Sequence, residues 1–121
     1  MRMQPKWHKN VEADDFEASL SYLSLIYSPT KATRFVAALR RARPARFKAK
    51  DIFRASQLSK LGVSNLRVVG YRKKIKMGKL LSPILLVRDE IHGKVVVADG
   101  YHRLCAVYEV NEDTWIPCRI V

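Results

Sequence analysis

The chain has 121 residues, 48% of them hydrophobic, and a formal net charge of +12. That length fits one domain with a real core, and no apolar run approaches the roughly 18–20 residues of a membrane span. The opening Met1-Arg2-Met3-Gln4-Pro5-Lys6-Trp7-His8 lacks the apolar segment of an export signal, so a cytoplasmic protein with no membrane partner is expected.

Residues 1–10 read as a loose arm in which Trp7 and His8 have no evident partner. Asp14 and Asp15 then precede Phe16, Leu20, Leu23 and Tyr27, which form one helical stripe with acids in its first turn. Ser28-Pro29-Thr30 breaks the chain, with Thr30 as the expected N-cap of a second helix whose apolar side is Phe35, Val36, Leu39 and Ala42. Residues 12–42 thus predict a helical hairpin. Pro44 ends it and divides the chain into an arm and hairpin (1–45) and a second part (46–121). Phe47 begins a short extended piece, and Asp51-Ile52-Phe53-Arg54-Ala55-Ser56 reads as a short helix with Asp51 near its start. Residues 64–77 predict a further helix, capped by Ser64, buried along Val68, Tyr71 and Ile75, and stopped at Gly78. Ile84-Leu85-Leu86-Val87 fits a strand buried on both faces. A turn at 89–93 leads into a hairpin partner over Lys94–Ala98. A helix over 100–110, with Leu104, Val107 and Tyr108 inward, precedes a last strand over 115–121, in which Ile116, Cys118 and Ile120 share a face. Pro117 suits an edge or the strand's start.

The positive charge is concentrated in the middle of the chain. Residues 28–88 hold seventeen basic residues and a single acid, Asp51. A segment this basic points to a polyanionic partner, DNA or RNA, contacted by Arg40, Arg41, Arg43, Arg46, Lys48, Lys50, Arg54, Arg67 and Lys74. Phe47, Phe53 and Tyr71 lie among these cations and read as core or as stacking groups. Cys105 and Cys118 fall in predicted regular elements and read as buried thiols, and no Cys-X-X-Cys pair or His/Cys cluster has the spacing of a metal site.

The most suggestive stretch is Val95-Val96-Val97-Ala98-Asp99-Gly100-Tyr101-His102-Arg103-Leu104, a strand turning directly into a helix. A helix N-terminus offers free N–H groups and a positive dipole end, which suit a phosphate. Gly100 would admit a ligand close to the backbone, and His102 and Arg103 add donors. The same residues also read as an N-cap, Asp99, with an ordinary first turn.

A basic helix, then Leu80-Leu81-Ser82-Pro83-Ile84-Leu85-Leu86-Val87, then Asp99-Gly100-Tyr101-His102-Arg103, a helix, and Trp115-Ile116-Pro117-Cys118-Arg119-Ile120-Val121 together resemble the ParB/sulfiredoxin superfamily over about residues 46–121. The resemblance implies an α+β fold, a small mixed sheet with packed helices, here preceded by the N-terminal hairpin. It implies a nucleotide-phosphate site at Gly100, Tyr101, His102 and Arg103, assisted by Lys73, Lys76 and Ser82. Sulfiredoxins carry a nucleophilic cysteine directly before the His-Arg pair; Tyr101 stands there instead, which argues against sulfinic-acid repair. The chromosome-partitioning branch carries a Gly-Glu-Arg-Arg type motif and a helix-turn-helix domain, neither present here. Free-serine kinases of the superfamily carry Asp-Gly-His-His-Arg and an acid on an earlier segment, which makes Asp51 and Asp99 the catalytic candidates.

The leading expectation is a phosphate-binding module that engages nucleic acid or a nucleotide through a helix N-terminus and a basic surface. The alternative is a nucleotide-dependent enzyme, a small-molecule kinase or hydrolase using a nucleoside triphosphate with Mg2+. Nuclease chemistry fits less well because no paired carboxylates stand at metal spacing. A protein partner docking on the hairpin is a third reading.

Overall fold

A computed structural model describes residues 3–62 and 64–121. Met1 and Arg2 of the expected arm lie outside the described residues. The elements run β1 (Lys6–Trp7), α1 (Ala13–Ile26), α2 (Pro29–Arg41), β2 (Ala45–Lys48), α3 (Ala49–Ser56), α4 (Leu66–Lys76), β3 (Leu80–Leu81), β4 (Ile84–Asp89), β5 (Lys94–Asp99), α5 (Tyr101–Val110) and β6 (Trp115–Ile120).

Four strands form a mixed sheet in the order β2-β6-β4-β5. The pairs β2/β6 and β4/β5 are antiparallel, and β4/β6 is parallel. The run Ile84-Leu85-Leu86-Val87 explains why this sheet has two covered faces. Successive side chains on a strand point to opposite sides. Ile84 and Leu86 join Val97, Ile116 and Cys118 in a core roofed by α3, α4 and α5. Leu85 and Val87 join Val96 and Ala98 beneath Phe16, Leu23, Ala32, Val36 and Leu39 of α1 and α2. All four residues of the run are buried, as a strand with no solvent face requires.

The two helix layers cover the sheet unequally. α1 packs on α2 and on β5, at one side of the sheet, and the β2 edge lies at the other. Phe47 and Ile116 are register partners that belong to the core beneath α3, α4 and α5. By alternation, Arg46, Lys48, Trp115, Pro117 and Arg119 therefore point to the α1/α2 side, beyond the reach of those helices' cores.

Several sequence expectations need correction. The arm is not loose: β1 pairs in parallel with β3, the His8 amide donates to the Leu81 carbonyl at 2.7 Å, and Trp7 packs against the core. A large ring partly buried this way provides the anchor that a polar arm lacks. Ser28, rather than Thr30, caps α2; its hydroxyl accepts from the Lys31 amide, and Pro29 fills the first helical position, where its missing N–H is no loss. Asn65, rather than Ser64, caps α4 by accepting from the Arg67 and Val68 amides. Asp51 lies in the first turn of α3 without capping it. Pro117 sits in an internal strand, but the ladder with β4 begins only at Cys118, so the absent N–H interrupts nothing on that side. Among the described residues, no helix is long and apolar enough to cross a membrane.

Candidate functional site

The turn from β5 into α5 is built around Arg103. Gly100 is the helix N-cap and adopts φ 104°, a left-handed conformation that a side chain disfavours. A Cβ there would lie 2.9 Å from both the Arg103 Nη2 and the Ile84 Cγ1. The open approach expected for a ligand at Gly100 is thus filled by the protein's own arginine and isoleucine.

Arg103 is only 6% exposed. Its Nε donates to the Ser82 carbonyl at 3.0 Å, and its Nη2 donates to the Pro83 carbonyl at 3.3 Å, to Asp15 Oδ2 at 3.3 Å and to Asp99 Oδ2 at 3.2 Å. A guanidinium this far from water needs such partners, because an unpaired buried charge costs several kcal/mol. One side chain therefore ties the β3–β4 link, the end of β5 and the first turn of α1 together. Asp99 does not cap α5; its carboxylate is turned to Arg103. Burial pushes the Asp99 carboxyl up to about 6, against the pull of Arg103 and with the added repulsion of Asp15.

A cleft of about 220 Å³ opens beside this cluster, lined by Asp14, Asp15, Arg67, Tyr71, Tyr101 and His102 among others. His102 faces it half-buried, and its pKa is lowered first by burial and then by the nearby Arg67. At neutral pH it is therefore a neutral donor or acceptor rather than a fixed cation. Tyr101 turns its hydroxyl to the Ser59 carbonyl and packs edge-on to Phe53. Ser82 is buried and accepts from the Glu12 amide at 3.1 Å, which anchors the start of α1. Lys73 and Lys76 are exposed on α4 and do not line the cleft; Arg67 and Tyr71 do. Asp51 is remote from the cleft and borders an apolar hollow of about 210 Å³ with Phe47, Ile52 and Arg88. The two catalytic candidates are thus not brought together.

The cations of residues 40–50 have a different setting. Arg40, Arg41, Arg43 and Arg46 are all exposed, and among the described residues none of them forms an ion pair. Arg40 rests its guanidinium 4.6 Å from the Phe16 ring centre. Arg119, on β6, donates to the Ala42 carbonyl and fastens the 40–43 segment to the sheet. Arg46 lies 4.8 Å and Lys48 Nζ 5.3 Å from the ring centre of Trp115, which is 49% exposed. Lys50 pairs with Asp113 at 2.7 Å, and Lys48 approaches the same carboxylate at 4.0 Å. The result is a cationic strip along β2 with an aromatic ring within it. Of the other predicted contacts, Arg54 is exposed on α3, while Arg67 and Lys74 lie on α4, which packs on α5 over the opposite sheet face.

Sequence reasoning missed two residues. Asp15 joins Arg103 from 88 positions away, and its place in a first helical turn already explained it locally. Trp115 carried one available signal, a bulky aromatic beside Pro117 that the strand's inward alternation left unburied.

Burial pushes the Cys118 thiol up to about 12 and raises that of Cys105, so neither is a ready nucleophile. Among the described residues no group of three or more His, Cys, Asp or Glu side chains could hold a metal ion. Comparison with family models, with characterised proteins and with solved structures finds no match for this chain.

Proposed function

We propose that this protein binds nucleic acid through the strip formed by the end of α2, the 42–44 link and β2. The observation that carries this reading is the set of exposed arginines at positions 40, 41, 43 and 46, which run from the end of α2 through the link into the edge strand β2 and form no ion pair among the described residues. Cations already paired with carboxylates gain little from phosphate, whereas unpaired ones release counterions when they meet it. Backbone contacts of this kind position a protein on a polyanion and carry little base information. The resemblance to the ParB/sulfiredoxin superfamily supports the same general reading of a phosphate-binding module.

A second reading, a nucleotide phosphate at the α5 N-terminus, is favoured by Arg67 and His102 in the 220 Å³ cleft. The carboxylates of Asp14, Asp15 and Asp99 at the same cleft weaken it, since they repel an anion. Fluorescence anisotropy with labelled DNA and RNA tests the main proposal. Affinity falls linearly on a log–log plot against salt, with a slope of about −0.7 to −0.9 per phosphate contacted. A slope near zero, or no binding at low salt, overturns it. Titration with ATP and CTP, with and without Mg2+, tests the second reading, which requires a rise in melting temperature.

A further inference from the structure

We infer that the nucleic acid bound along β2 is single-stranded, with Trp115 as its base-stacking platform; the inference rests on the reading above. Three observations converge on it. First, Trp115 is 49% exposed at the start of β6 and lies within the cationic strip rather than apart from it. Second, the register puts Lys48 opposite Trp115 and Arg46 opposite Pro117, so the ring and the two cations share one sheet face at neighbouring positions. Third, the indole borders a cleft of about 350 Å³, whose other lining includes Trp7, Asn111, Asp113 and Thr114.

The chemistry of that cleft selects its occupant. Asp113 on its wall, although held by Lys50, disfavours a phosphate there and leaves the cleft to an uncharged, flat group. Trp7 and Trp115 supply flat apolar surface, and Asn111 and Thr114 supply further polar groups. A duplex keeps its bases stacked inside and presents only phosphate and groove edges. An isolated exposed ring in a cationic strip is therefore of use chiefly to a strand whose bases are free to unstack. Arg46 and Lys48 already rest on the indole, and both have long, rotatable stems. They can move from ring to phosphate while a base takes the vacated ring face.

The test compares the wild type with its Trp115 variants, so that the part of the tryptophan signal lost with Trp115 is that ring's report. Binding of oligo-dT and oligo-U is compared with that of a hairpin duplex of similar length at the same salt. Single strands bind more tightly than the duplex and quench Trp115. Trp115→Ala weakens single-strand binding by about 5- to 150-fold, the range for loss of one stacked base, while leaving duplex binding and the salt slope unchanged. Trp115→Phe keeps most of the affinity and guards against an alanine variant that is misfolded. Equal affinity for both forms, or a Trp115→Ala protein that is folded and binds single strands normally, overturns the inference and leaves nucleic-acid binding standing. Binding to neither form overturns both. The DNA and RNA arms show which sugar the strip prefers.

Discussion

Arg103 commits its guanidinium to Asp15, Asp99 and the carbonyls of Ser82 and Pro83, whereas among the described residues Arg46 rests only on the face of Trp115. Both are arginines beside backbone turns, and both look suited to phosphate when read from sequence. The α5 cleft surrounds its cation with carboxylates held by two different elements, α1 and β5. The β2 strip leaves its cations exposed, with Asp113 as the one carboxylate pairing there among the described residues. A basic residue is available to a ligand only if the fold has not already claimed it. Desolvation makes the distinction energetic: a buried guanidinium exchanges partners at great cost, and an exposed one at almost none.

This contrast predicts that cleft variants damage stability and strip variants damage binding. The largest effect belongs to Arg103→Ala, which strands two partly buried carboxylates and should cost about 3–5 kcal/mol in chemical denaturation. If the variant stays folded yet specifically loses nucleic-acid affinity, the cleft rather than the strip is the ligand site. Gly100→Ala follows, with a cost of about 1–3 kcal/mol from the left-handed backbone and the contacts at 2.9 Å; thermal melts measure it. Arg41→Gln and Arg43→Gln should leave the melting temperature nearly unchanged and each reduce the salt slope by about one contact, as read by anisotropy across a salt series.

The smallest effect is a pH dependence. The Asp99 carboxyl stands at about 6 in the folded protein, against 3.8 for the free group. Between these values the folded state holds a proton that the unfolded state has released, so stability falls as pH rises through that window. The stabilising contribution is fully present below 3.8 and lost by about 6. Partial exposure to solvent reduces its size. The melting temperature of the wild type relative to Asp99→Asn should therefore shift in the wild type's favour on acidification from pH 6 to 4. An invariant difference would mean that Asp99 titrates like a free carboxylate.

Much of the sheet was legible because its signals are local. The run Ile84–Val87 fits a strand buried on two sides, and the hydrophobic stretch ending at Asp99-Gly100 reads as a strand turning into a helix; both are found so. Gly78 and Gly100, both with positive φ, stand where the helix stop and the strand-to-helix turn were expected. What escaped depends on partners far along the chain. β1 is two residues long and exists because Leu80 and Leu81 offer it an edge. Trp115 gains its meaning from Arg46 and Lys48 on a strand about 70 positions earlier. The fate of Arg103 was hidden for the same reason: its helical spacing is ordinary, and only the arrival of α1 brings Asp15 to it. Of the site residues, Gly100, Tyr101, His102 and Arg103 do lie together, but the direction of each side chain was beyond reach of the sequence pattern.

The insertion of β6 between β2 and β4 bears on how the molecule comes into being. Among the described residues β2 has no neighbour in the sheet other than β6, and its pairing spans most of the chain. Contacts of such long range form slowly, because loop closure must come before they reward it. Until β6 takes its place, Arg46 and Trp115 are not neighbours, and the basic segment stands without the aromatic ring beside it. If the strip binds a strand as proposed, that competence arrives only once the centre of the sheet has closed.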